Sequence, residues 1–172
     1  MGKRSDFERV PRDFYPTPYE AVLPLDAHLN DFVRYTEPCA GDGRLVDHLA
    51  SLGHIAVDKY DIEPRRDDII QKDFKDVEPQ GEYIITNPPW DRKVLHPFIE
   101  YFAIKKKIPT WLLFDADWMH TKQSAEYMSF AKKIVSIGRV KWIEDSKSVG
   151  KDNCCWYLFD ASYVGPTMFY GR

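Results

Sequence analysis

The residues with the most chemistry to offer stand together as Thr86-Asn87-Pro88-Pro89-Trp90. An apolar, β-branched run, YIIT, leads into them and a charged segment, DRK, follows. Two consecutive prolines remove two backbone donors and forbid regular structure, so the chain keeps a stiff, irregular loop at the end of a strand. The amide oxygen of Asn87 and the carbonyl of Pro88 can accept hydrogen bonds from one exocyclic NH2. Pro88 and Pro89 hold those acceptors in place, and Trp90 offers a flat face to a planar base. A proline-rich turn with Trp90 merely buried accounts for the same residues less fully.

Three further strand ends carry unusual residues. EPCAGDG (37–43) has two glycines that let the backbone pass close to a ligand, and the helix after it offers its amino end. A nucleotide-binding turn and a simple tight turn explain it equally. Val46 breaks the G-x-G-x-x-G pattern, and no Gly-Lys-Ser/Thr follows, which excludes a P-loop. Asp61, in KYDIEP, stands about twenty residues beyond Gly41, where a carboxylate can accept both hydroxyls of a ribose. Glu63 or Asp58 can fill the same role. Asp73-Phe74 pairs an acceptor for an adenine amino group with a ring to pack on the base, or is an ordinary loop acid and its neighbour.

These positions need elements to hold them. FVRYTEPC (32–39), HIAVDKYDIEP (54–64), EYIITNPPW (82–90) and TWLLFDADW (110–118) read as strands, with DDIIQKDF a short turn or strand. YPTPYEAVLPLDAHL (15–29) reads as a loop leading into a helix, capped by Thr17 with Pro18 at the first position and kinked or stopped early by Pro24, and AGDGRLVDHLASLG as a glycine turn followed by a helix ending at Gly53. Further helices are expected over HPFIEYFAIKKK, with Pro97 near its start, and over 121–133, where Ala125, Met128 and Ala131 recur at spacing three. IVSIGRVKWIE and NCCWYLFDA follow as late strands. Strand–helix alternation followed by strands alone predicts an α/β fold: a mostly parallel sheet with a terminal antiparallel hairpin. Residues 1–14 read as a loose arm and 15–172 as one domain.

Bulk composition narrows the classes. Of 172 residues, 44% are hydrophobic, enough for a full core, and 15% are aromatic, more than a core requires. Twenty-four Lys and Arg against 27 Asp and Glu give a net charge of −3, unlike a dedicated duplex binder, so nucleic-acid contact must come from a local patch. Candidates are Lys105–Lys107, Lys132, Lys133, Arg139 and Lys141, with Lys3, Arg4, Arg9 and Arg12; the lysine runs also suit helix dipoles. No long apolar run or leader segment is expected, and Cys39, Cys154 and Cys155 read as reduced thiols of a cytoplasmic protein. The five scattered histidines lack ligand spacing, so no metal is expected.

Taken in order, FYPTP, EPCAGDG, YDIEP, KDF and NPPW resemble the S-adenosylmethionine-dependent N6-adenine methyltransferases. The likeness is strongest to the small forms carried by bacteriophages and mobile elements. It spans residues 14–118, and the motifs are specific as a set. It implies a class I methyltransferase, Rossmann-like fold with a seven-stranded sheet and helices on both faces. By position, it implies that Tyr15, Pro16 and Thr17 sit near the methionine end of the cofactor, and that Glu37, Cys39, Gly41 and Gly43 line the methionine and ribose. Asp61 and Ile62 would hold the ribose side, and Asp73 and Phe74 the cofactor's adenine. Asn87 is implied to touch both cofactor and target, with Pro88, Pro89 and Trp90 completing the catalytic loop and Asp117 and Trp118 walling the target pocket.

The implied reaction is methyl transfer to the N6 amino group of adenine, with DNA ahead of RNA as the polymer. RNA adenine, a protein glutamine amide and a guanine amine share the two-acceptor logic. A non-catalytic module leaves Asp61 and Asn87 unexplained, and a nicotinamide dehydrogenase leaves NPPW unexplained. The chain departs from site-specific DNA methyltransferases in having no segment long enough for a target-recognition domain. Low specificity, a homodimer or a specificity partner would each follow.

Overall fold

Trp111, Leu112, Leu113 and Phe114 run without a polar break, as expected of a strand covered on both sides. In the computed structural model, which describes residues 14–172, none of the four is more than 1% exposed. They form most of β5 (Thr110–Asp115), the inner strand of an eight-stranded sheet. The other strands are β1 (Arg34–Glu37), β2 (Ile55–Asp61), β3 (Ile70–Gln71), β4 (Tyr83–Thr86), β6 (Ala131–Arg139), β7 (Asn153–Phe159) and β8 (Met168–Tyr170). Their order is β3-β2-β1-β4-β5-β7-β6-β8. All neighbours pair in parallel except β7, which runs antiparallel to both β5 and β6. Strand order reverses between β1 and β4, which opens a crevice beyond their carboxyl ends.

Side-chain alternation sorts the core onto two faces. Trp111, Leu113, Cys154, Trp156 and Leu158 pack with α1 (Tyr19–Asp26) and α2 (Arg44–Ser51), which supply Val22, Leu25, Leu45 and Leu49. Leu112, Phe114, Cys155, Tyr157 and Phe159 pack on the other face with α3 (Arg92–Ile99), its continuation through Phe102, and Tyr127 of α4 (Ala125–Met128). Helices on both faces of a mainly parallel sheet are the expected architecture. No helix of the described residues is long and apolar enough to cross a membrane.

Several expectations are corrected. The sheet has eight strands, not seven, because the short, largely exposed β8 joins β6 at the edge. Thr17 does not cap α1: the cap position is Pro18, with no side-chain bond, and the Thr17 hydroxyl turns instead towards Asn87. The helix expected from His96 begins earlier, at Arg92. The Asp91 carboxylate accepts the Lys93 N–H at 3.0 Å, and Pro97 falls inside the helix. Beyond Ile99 the helix widens into a π segment, Glu100–Lys105, which the Lys106 N–H closes onto the Tyr101 carbonyl. The helix expected over 121–133 shrinks to a 3-10 turn and α4, because Ala131 onward pairs with β7 and ladder bonds override the helical spacing. The arm expected over 1–14, with Lys3, Arg4, Arg9 and Arg12, lies outside the described residues except for Phe14.

Trp156 joins the two ends of the chain. Its indole N–H donates to the Ala21 carbonyl of α1 at 2.7 Å, and its ring is fully buried. Trp156→Ala should cost ~3–5 kcal/mol through cavity formation, and Trp156→Phe ~1–3 kcal/mol through the orphaned Ala21 carbonyl. Urea denaturation measures both.

Candidate functional site

Beyond Thr86 the chain leaves the sheet as Asn87-Pro88-Pro89-Trp90. Asn87 Nδ2 donates to the Tyr15 carbonyl at 3.3 Å and to Thr17 Oγ1 at 3.2 Å, while Trp90 Nε1–H donates to Asn87 Oδ1 at 3.2 Å. Two oxygens on one side and an N–H on the other assign the amide orientation. Oδ1 therefore has one lone pair engaged and one to spare. Pro88 is buried behind this arrangement. The Trp90 ring stands edge-on to Trp142, centroids 5.7 Å apart, and Trp142 also meets Tyr15 at 6.3 Å.

The cleft beside Asn87 is lined by Tyr15, Pro16, Thr17 and Pro89, by Glu37, Cys39 and Gly41 beyond β1, and by Asp61 and Ile62 at the end of β2. Gly41 has φ +56°, and a Cβ there would come within 2.7 Å of the Phe14 ring. Gly43, with φ +80°, begins α2, and a Cβ on it would run into the Arg66 guanidinium. Asp61 holds this turn: its Oδ2 accepts the Gly41 N–H at 2.8 Å and its Oδ1 the Glu63 N–H at 2.7 Å. Each oxygen retains acceptor capacity towards the cleft.

Glu37 is fully buried at the base of the cleft. Its Oε1 accepts the Cys39 N–H at 3.0 Å, and its Oε2, near the Thr86 hydroxyl, makes no hydrogen bond of good geometry. Burial pushes this carboxyl up to about 8, with the nearby Asp61 charge adding to the push and the Thr86 hydroxyl and the Cys39 N–H opposing it. The Cys39 thiol is pushed well up by burial and by Glu37, Asp61 and Asp73, so it stays protonated and is no nucleophile. Among the described residues, Glu37, Asp42, Asp61 and Glu63 face the cleft together with the cation Arg65, whose guanidinium lies 3.5 Å from the Phe14 ring centroid. An acidic, partly desolvated cleft favours a cationic ligand and disfavours an anionic dinucleotide.

Other expected residues stand elsewhere. Asp73 accepts the Lys75 N–H at 3.0 Å, capping the turn Phe74–Asp76. Phe74 packs on Phe98, 4.5 Å between centroids, beside the cleft rather than in its wall. Trp118 is a core residue, 1% exposed, with its N–H on His96 Nε2 at 3.0 Å; the expected pocket-wall role is corrected by this burial. Asp117 is exposed and lines a second cavity at the ends of β5–β7, away from Asn87. Phe14 and Trp142 are site residues that the sequence reading missed. The available signals were an aromatic directly before YPTP and a tryptophan in an otherwise polar inter-strand loop.

No family model and no curated protein matches the chain. Solved structures that share its fold include two at low sequence identity. One is a chain of a type I restriction–modification system, with TM-score 0.56 and 12% identity over 95% of this chain and 46% of that one. The other is a Listeria monocytogenes protein assigned to the class I S-adenosylmethionine-dependent methyltransferases, with TM-score 0.55 and 12% identity over 90% of this chain and 65% of that one. The chain thus spans about half of the first and less than two thirds of the second. At that identity the likeness is one of architecture: the fold is that of the class I methyltransferases.

The raised Glu37 carboxyl has a stability signature. The folded chain keeps this proton up to about 8, whereas an unfolded chain releases it near 4.5. Its contribution to stability is therefore complete below 4.5 and lost as pH rises through about 8. Thermal denaturation across that window should show the loss in the wild type, and Glu37→Gln should flatten it.

Proposed function

We propose that this protein is an S-adenosylmethionine-dependent methyltransferase acting on the N6 amino group of adenine in DNA. The observation that carries the reading is the oriented Asn87 amide beside an acid-lined cleft. The residues present fit the cofactor, because a buried carboxylate oxygen without a hydrogen bond of good geometry and a surplus of acids suit a ligand bearing ammonium and sulfonium charges. Glu37 would receive the ammonium, Asp61 the ribose hydroxyls, and Gly41 the close approach of the ligand to the backbone. Ile62 offers apolar surface for the cofactor's adenine, with Phe74 and Asp73 beside the cleft.

When bound, the cofactor supplies an electrophilic methyl group. The chain's part is to prepare the acceptor. An adenine N6 lone pair is delocalised into the ring and is a poor nucleophile. Asn87 Oδ1 and the Pro88 carbonyl accept the two amino protons, which localises the lone pair on nitrogen. Tyr15 and Thr17 keep the Asn87 amide from turning its NH2 to the base. The nitrogen carries a positive charge once methylated, its proton becomes acidic, and solvent takes it, so no strong general base is needed. Positioning and electrostatics do most of the work. A base drawn from a duplex must leave its stack, and Trp90 with Trp142 stands ready to replace the lost contacts. The architecture shared with a restriction–modification chain supports DNA as the polymer and a partner subunit or second copy as the source of specificity.

Incubation with methyl-labelled cofactor and single-stranded DNA, duplex DNA, RNA and cell protein in parallel should place label on N6 of DNA adenine, read by nucleoside mass spectrometry. Label in protein alone would sink the proposal. Asn87→Ala should lower transfer by ~10²-fold or more. Asp61→Ala should weaken cofactor binding by roughly tenfold or more in calorimetry, the worth of a charged hydrogen bond.

A further inference from the structure

The second cavity is the feature that the proposed reaction leaves unused. Asp117 and His120 line it from the segment after β5, Asn153 from the start of β7, and Phe169 and Arg172 from β8 and the residues after it. Gly138, at the end of β6 with φ +72°, lets the backbone pass close under the Arg172 guanidinium; a Cβ there would stand 2.8 Å from it. Phe169 is 60% exposed, an unusual state for a phenylalanine with a sheet beside it.

Three observations give the cavity a direction. It opens at the carboxyl ends of β5 and β6, the same edge of the sheet that carries Asn87. Four strand spacings, about 19 Å, separate the end of β4 from β8, the strand that carries Phe169. An extended single strand covers that distance in a few nucleotides. Charge is also uneven along the chain: residues 131–172 hold seven Lys and Arg against four Asp and Glu, while residues 1–130 hold 17 against 23. Arg139, Lys141 and Lys151 stand exposed at the β6–β7 turn, which also carries Glu144, Asp145 and Asp152, and Arg139 pairs directly with Asn153 beside the cavity.

Building on the proposed methyl transfer to DNA, we infer that this cavity binds an unpaired nucleobase a few nucleotides from the target adenine, and that Arg139, Lys141 and Lys151 hold the strand's phosphates. Phe169 supplies the stacking face. Arg172 and Asn153 donate to the base edge, and Asp117 and Asn153 accept from it. Stacking on an exposed ring with cations tracking the backbone is how single strands are held without a dedicated recognition domain. The subsite does in one small cavity what a separate domain does elsewhere: it sets the register of the strand so that one adenine reaches Asn87.

The test uses the full chain and a short fluorescein-labelled single-stranded deoxyoligonucleotide containing one adenine, read by anisotropy, with methyl transfer and cofactor calorimetry alongside. Phe169→Ala combined with Arg172→Ala should weaken strand binding by about tenfold or more and raise the KM for the oligonucleotide, with cofactor affinity unchanged. Reversing Arg139, Lys141 and Lys151 to Glu should weaken binding and flatten its salt dependence. Both variants alter exposed side chains, and an unchanged melting temperature certifies their fold. Methyl transfer with an unaltered KM in both variants would overturn the subsite and leave the proposed reaction standing. A wild type that binds the cofactor but no single strand would overturn the subsite as well.

Discussion

The site depends on two parallel strands lying side by side. β1 and β4 pair in register, Tyr35 with Tyr83 and Thr36 with Ile84, so the chain leaving each strand emerges at the same edge. Glu37 and the Cys39–Gly43 turn come from one strand, and Thr86 and the Asn87 loop from the other. Neither strand has more than four residues, and both are central and covered on their faces, so the polar groups at their ends cannot drift apart without breaking the core. Asp61 adds the third point from β2, because β2 pairs with the other side of β1.

Two electric environments share that edge. Near β1 and β2, among the described residues, four acids face a cleft, and one of them, Glu37, is buried with an oxygen that makes no hydrogen bond of good geometry. Burying such a group without a well-formed hydrogen bond is unfavourable for folding, and a cationic ligand is the natural complement. Towards β6 and β8 the balance turns basic. A cationic cofactor and an anionic strand would thus be drawn to opposite halves of one crevice, with Asn87 between them. The Trp90–Trp142 contact lies across the boundary, and Glu144, on the same loop as Trp142, reaches Arg44 of α2 at 3.2 Å.

Much of the fold is legible locally. Apolar runs bounded by Gly and Pro give most strands, because a strand buried on both faces needs little more than continuous hydrophobicity. The misses are instructive. β8 pairs through three residues after Gly165-Pro166-Thr167, too short for any periodicity to reveal. The segment around Ala131 carries helical spacing, yet its partner strand lies more than twenty residues ahead, and ladder bonds to it outweigh local preference. Trp118 looks like a ligand-facing ring in sequence and is a core ring in space, since one turn after β5 swings it back under Phe114 and Tyr157.

The sequence by itself determined the stiff Asn-Pro-Pro-Trp loop, the glycine turn and the strand-end acids, because prolines, glycines and apolar runs act on their own backbone within a few residues. Tertiary structure alone decided how the Asn87 amide points, since its partners, Tyr15 and Thr17, stand more than sixty-nine residues away in the chain. It alone made Glu37 a raised, half-partnered carboxyl, because desolvation is a property of the assembled surroundings and not of the residue. It also placed Asp117 in a different cavity from Asn87, since the two lie at the ends of adjacent parallel strands whose loops diverge only once the sheet is built.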